Sequence, residues 1–175
     1  GFSPSDIYTV GYVAMGAESG CSCEPGIFLK HFDGAQWSSL YETSELNFVK
    51  EAWGSSPTDI FVNGNQGLVH YDGQTLEEAG APNNTYRDIW GSAANSVFAV
   101  GESGTIVEFD GDSWRTHESG TSAHLTSIWG GAADNVFALA DDGEVFHYNG
   151  RQWLQVSGST AGDPDLEGGL NAVWG

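Results

Sequence analysis

Apolar residues along this 175-residue chain come in short clusters, and the clusters repeat. Runs at 59–62, 96–100 and 135–139 each follow a Trp-Gly pair by about six residues. The pairs stand at Trp53-Gly54, Trp90-Gly91, Trp129-Gly130 and Trp174-Gly175, spaced 37, 39 and 45 residues apart. Each run leads into a second cluster that ends on Asp-Gly or Asn-Gly, at 33–34, 72–73, 110–111 and 149–150. Three residues beyond the glycine comes Trp37, Trp114 or Trp153, with Leu76 in the second copy. All seven tryptophans fall on these two repeat positions.

One copy therefore holds four segments, here lettered a (LTSIWG, 125–130), b (NVFALA, 135–140), c (EVFHYNG, 144–150) and d (RQWLQV, 151–156). They are rich in β-branched and aromatic residues and bounded by turn chemistry, which predicts strands. No stretch has the 3.6-residue period of a helix. The Asp-Gly and Asn-Gly joints predict type I′ hairpins, in which both central residues take positive φ. Four antiparallel strands repeating every 37 to 45 residues predict an all-β fold, a β-propeller of four-stranded blades. The repeats run over about 1–48, 49–85, 86–124 and 125–169 of one propeller domain, 1–175. The first copy lacks a strand a, and 170–175 reads as a strand a with nothing after it. The closing strand can complete the first blade in a four-bladed ring; alternatively, the chain is an arc of a larger ring.

The stretch IWGSAANSVFAVGESGTIVEFDGDSW (89–114) resembles the repeats of secreted bacterial β-propellers found in large surface and exported proteins. It is more distantly similar to tectonin-type repeats of lectin-like propellers. The resemblance implies a propeller fold and an exported, extracellular or cell-surface setting. It departs from the WD repeat, which has Gly-His and Trp-Asp signatures, and from the sialidase Asp box.

Composition narrows the partners. With 24 acidic and five basic side chains the formal net charge is −19. Nothing here could replace the counterions around phosphates, so nucleic acid is excluded as a partner. No apolar run is long enough for a membrane-spanning helix.

Candidate chemistry sits on the repeat and on its departures. Trp53, Trp90, Trp129 and Trp174 share one position in strand a and are expected to pack between blades. Trp37, Trp114 and Trp153 in strand d lie further out and could stack on sugar rings. His31, His70 and His147 align in strand c, with Glu108 in the third copy. They are expected to bond a neighbour rather than share a metal, since equivalent positions on different blades lie too far apart. Asp6, Asp59, Asn95 and Asp134 are expected to bond backbone N–H groups of the a–b turn.

Two insertions break the repeat, at 11–26 between b and c of the first copy and at 158–169 after the last strand d. Connections b–c and d–a leave a propeller on one face, so both insertions should rise together. They offer a binding surface of Glu18, Cys21, Cys23, Glu24, Asp163, Asp165 and Glu167. Asp163, Asp165 and Glu167 alternate and could supply oxygens to calcium, although the glycines and Pro164 also describe a solvated loop. Cys21 and Cys23 could form a local disulfide, bond another chain or remain thiols.

The function expected is a non-catalytic extracellular binding module presenting variable loops to a glycan or protein ligand, or a unit of a surface assembly or homo-oligomer. The alternative is a propeller hydrolase acting on glycans with axial carboxylates. No nucleophile–base constellation supports it.

Overall fold

The computed structural model describes residues 7–13, 26–43, 49–64 and 67–157. Their elements are strands in four antiparallel sheets and a single 3-10 turn, Glu102–Gly104. The first sheet contains β1 (Ile7–Val13), β2 (Gly26–Phe32) and β3 (Trp37–Thr43). The second contains β4 (Val49–Ser56), β5 (Asp59–Gly64), β6 (Gly67–Tyr71) and β7 (Leu76–Glu78). In the third are β8 (Tyr86–Ala93), β9 (Ser96–Gly101), β10 (Ile106–Phe109) and β11 (Trp114–His117). The fourth is made of β12 (Leu125–Ala132), β13 (Asn135–Ala140), β14 (Val145–Tyr148) and β15 (Trp153–Ser157). Strands pair in chain order within each sheet, as the four-segment repeat predicts. The proposed closing strand, 170–175, lies outside the described residues.

The chain divides into two compact units, 1–79 and 80–175, each holding two sheets. In the first unit a core of Leu29, Val49, Ile60, Val62, Val69 and Tyr71 fills the space between the sheets, with Tyr8, Val10 and Leu76 packed against it. In the second, Phe98, Val100 and Ile106 of the third sheet meet Val136, Ala138, Phe146, Tyr148 and Trp153 of the fourth. Strand alternation produces both cores: residues two apart share a face, so one face of each sheet turns to its neighbour.

One polar contact and one packing contact join the sheets of the second unit. Asp88 on β8 accepts the backbone N–H of Ile128 on β12 at 2.8 Å. Burial pushes its carboxyl above the ordinary range despite that bond and one from the Ile89 N–H. Trp90 lies against Gly130: a Cβ there would come within 2.7 Å of the indole. Gly130 thus seats the Trp of the preceding Trp-Gly pair. Trp53, Trp90 and Trp129 are all half-buried.

The c–d turns differ from the expected type I′. Positive φ occurs at Gly34, Gly73, Gly111 and Gly150, and not at the Asp or Asn before them. The acid instead closes the turn. Asp33 donates its N–H to the Gln36 carbonyl at 3.2 Å, and its carboxylate accepts the N–H groups of Ala35 and Gln36 at 2.8 and 2.9 Å. Asp72, Asp110 and Asn149 repeat the arrangement. The central pair is therefore Gly and the residue after it, with Gly first as a type II′ turn requires. These backbone bonds hold the carboxyls of Asp33, Asp72 and Asp110 below their ordinary value.

Candidate functional site: the loop face of the third sheet

Cross-strand pairing places an aromatic ring of strand b beside the histidine of strand c. Phe61 stacks on His70 at 4.4 Å and Phe137 on His147 at 4.5 Å, and Tyr8 stacks on His31 at 4.5 Å. His70 Nε2 bonds Asp59 Oδ1 at 2.6 Å, and His147 Nε2 bonds Asn135 Oδ1 at 2.8 Å. Each of these two histidines is thus tied to the first residue of the neighbouring strand. Asp59 therefore departs from its expected role: its carboxylate takes His70 and the Ser55 hydroxyl, because Asp59 starts the strand rather than sitting within the turn. Asn95 and Asp134 lie one step earlier, where a Cβ added at Gly111 or Gly150 of the adjacent c–d turn would come within 2.9 Å of their own Cβ.

The third sheet breaks this pattern. Glu108 occupies the strand-c position and is only 7% exposed. It accepts Arg115 Nε at 2.9 Å, Arg115 Nη2 at 2.5 Å and His117 Nε2 at 2.7 Å, both partners lying on β11. Burial pushes its carboxyl up, but the bonds from His117 and Arg115 outweigh that and leave it below the ordinary range. The same carboxylate raises the Arg115 guanidinium. The histidine has in effect moved from strand c to strand d. Sequence reasoning passed over His117, although one repeat carrying Glu in strand c together with Arg and His in strand d was the available signal.

Next to this network lies a cleft of about 380 Å³, lined by 103–105 and 116–121. The b–c turn supplies one wall and the d–a connection the other, which is the face expected to carry recognition. Ser103 has φ +54°, the one positive φ outside glycine among the described residues, followed by Gly104 at +69°. The Ser103 N–H donates to His124 Nδ1 at 3.1 Å, and the Gly104 N–H to the Ala123 carbonyl at 2.7 Å. A Cβ at Gly104 would stand 2.0 Å from the Thr121 carbonyl oxygen, so only glycine lets the walls approach so closely. Ser119 Oγ donates to the Thr121 carbonyl and accepts the Thr121 N–H. The result is a preset groove of hydroxyls and backbone groups, with the side chain of His117 13% exposed in its lining.

A second cleft of about 520 Å³ lies in the first unit, between 8–10 of β1 and 50–54 of β4. It follows two strands side by side and has no turn in its walls.

The predicted site residues fall into two groups. Glu18, Cys21, Cys23, Glu24, Asp163, Asp165 and Glu167 lie outside the described residues, and with them the expected calcium ligands and disulfide. The strand-d tryptophans differ in exposure. Trp37 is 51% exposed, Trp114 is half-buried against Phe109, and Trp153 is buried at 6% within the second unit's core. Trp153 has no open ring face, because Phe98 and Tyr148 pack on it at 6.1 and 5.3 Å.

Four consecutive antiparallel sheets, each contributing one turn-bounded blade, define a β-propeller repeat protein. Among the solved structures that share this fold are two of YCF48. One is YCF48 bound to D1 peptide, with 18% identity and a TM-score of 0.54 over 77% of this chain and 50% of that one. The other is YCF48 from Cyanidioschyzon merolae, with 8% identity and a TM-score of 0.57 over 75% and 55% of the two chains. The match thus spans about half the length of those proteins. No protein-family model and no curated protein sequence matches the chain. Among the described residues no helix is long and apolar enough to cross a membrane.

Proposed function

We propose that this chain is an exported, non-catalytic propeller module that binds a protein partner, taking an extended peptide segment in the cleft of the third sheet. The observation carrying this reading is the 380 Å³ groove walled by two stitched loops. Recognition is commonly placed on loops held by a rigid scaffold, and the internal bonds of these loops fix a groove lined by Ser103, Thr105, Thr116 and Thr121. The chemistry of the described residues also favours binding. Glu108 is held by Arg115 and His117, and His70 and His147 by Asp59 and Asn135, so each is committed to a structural bond. A solved structure of the same fold, YCF48, contains a bound peptide, which lends weight to a peptide over a glycan. So does the spread in exposure of the three strand-d tryptophans, which gives sugars no repeated platform.

The test is selection of peptides from a displayed random library against the full chain, followed by amide exchange on the complex. Bound peptides are expected to protect 103–105 and 116–121, and Thr116→Arg is expected to weaken binding by about tenfold or more. Peptides that bind with no protection there, or that ignore the arginine, would remove this assignment. Binding on a glycan panel that Thr116→Arg abolishes would move the same groove to a sugar ligand.

A further inference from the structure

Exposed apolar side chains of the described residues gather on two surfaces. Ile7 is 43% exposed and Trp37 51%, both on the first sheet; Leu154 is 44% exposed and Val156 55%, both on the fourth. Ile7 lies opposite Phe32, and Phe32 opposite Trp37, so the three form one row on one face. The Phe32 and Trp37 rings stand 5.3 Å apart.

The same row recurs in the second and fourth sheets, and there its partner is visible. In the fourth sheet it is Val136, Tyr148 and Trp153, with the last two rings also 5.3 Å apart. This row is buried, because it inserts against the third sheet: Phe98 meets Tyr148 at 5.4 Å and Trp153 at 6.1 Å, and His117 meets Tyr148 at 5.3 Å. In the second sheet it is Ile60, Tyr71 and Leu76, packed into the core shared with the first. In both units the row therefore inserts into the sheet that precedes it in the chain.

The receiving surface has its own register. On the third sheet it is Phe98, Glu108 and Arg115, with His117 two residues further on. On the fourth sheet the same positions hold Phe137, His147, Leu154 and Val156. The first sheet thus carries an exposed inserting row, and the fourth an exposed receiving face whose strand-d positions are aliphatic instead of charged.

We infer that these two faces bind each other between copies of this chain, head to tail. Ile7, Phe32 and Trp37 of one copy seat on Phe137, Leu154 and Val156 of the next, as Tyr148 and Trp153 seat on Phe98 within one chain. Two observations select a second copy as the occupant: the two faces are complementary by the chain's own repeat, and both are exposed and apolar. A contact between different faces is heterologous, and it closes into a ring or continues as a filament according to its rotation.

The test is light scattering and sedimentation on the full chain over a concentration series. The mass is expected to rise with concentration, and Trp37→Glu and Val156→Glu are each expected to weaken association by at least about tenfold. Mixed in equal amounts, the two variants are expected to form a one-to-one dimer, because each keeps one intact face. A monomer at every soluble concentration overturns the inference, as does association untouched by either variant. A mixture that stays monomeric overturns the head-to-tail arrangement. Should a variant fail to fold, amide exchange on the unaltered chain decides: protection at 7–13, 37–43 and 153–157 must increase with concentration, and its absence refutes the contact.

Discussion

Glu108 shows what one buried charge does in a repeat that otherwise places histidine at its position. Its carboxylate is 7% exposed and held by two cationic or polar partners from a single neighbouring strand. Removing the charge leaves Arg115 and His117 donating to a weaker acceptor. Glu108→Gln is therefore expected to destabilise the protein by about 1–3 kcal/mol at neutral pH. The sign with pH follows from the lowered carboxyl. Its contribution is fully present above the unfolded value, near 4.5, and is lost as pH falls through the folded value. Denaturant midpoints of parent and variant should therefore converge in acid and diverge towards neutrality. A gap that is constant with pH would show that the charge is not responsible.

Strand a carries its information as a two-residue unit. Between the third and fourth sheets Trp90 fills the gap and Gly130 makes room for it: an added Cβ there would meet both the Trp90 indole and the Asn135 carbonyl oxygen, at 2.7 and 2.9 Å. Gly130→Ala is expected to cost about 1–3 kcal/mol through overpacking. Trp90→Leu in the same chain should recover part of that loss, and a thermal double-mutant cycle measures the coupling. Additive losses would place the cost entirely on the Asn135 side. The c–d turns are a second unit of this kind. Their Asp-Gly letters predicted a tight hairpin correctly but centred it one residue early. The Asp side chain could either occupy the turn or cap it, and only the backbone bonds distinguish the two.

At the scale of the molecule the formal charge of −19 opposes any association between copies. Exposed like charges repel over a Debye length of about 8 Å at physiological salt, whereas burial of Trp37 and Val156 against a partner is apolar and little screened. Self-association is therefore expected to strengthen as sodium chloride rises from low to moderate concentration. Sedimentation at fixed protein concentration reads this directly; association that weakened with salt would mean that charge pairs, rather than the apolar rows, hold the copies together.

The sequence by itself determined the number of sheets, their strand order and where their turns fall, though not the type of the c–d turns, because strand alternation and turn glycines act over neighbouring residues. It also indicated that His70 and His147 serve the repeat. It could not show that His117 replaces them in the third sheet, since Glu108 and His117 meet only when β10 and β11 pair. Nor could it rank Trp37, Trp114 and Trp153, which share one sequence position. Their exposure depends on whether a neighbouring sheet covers the row, and Trp153 is buried because the third sheet stands against it. Local chemistry thus wrote the blades, and packing between neighbouring sheets decided which of these rows were buried.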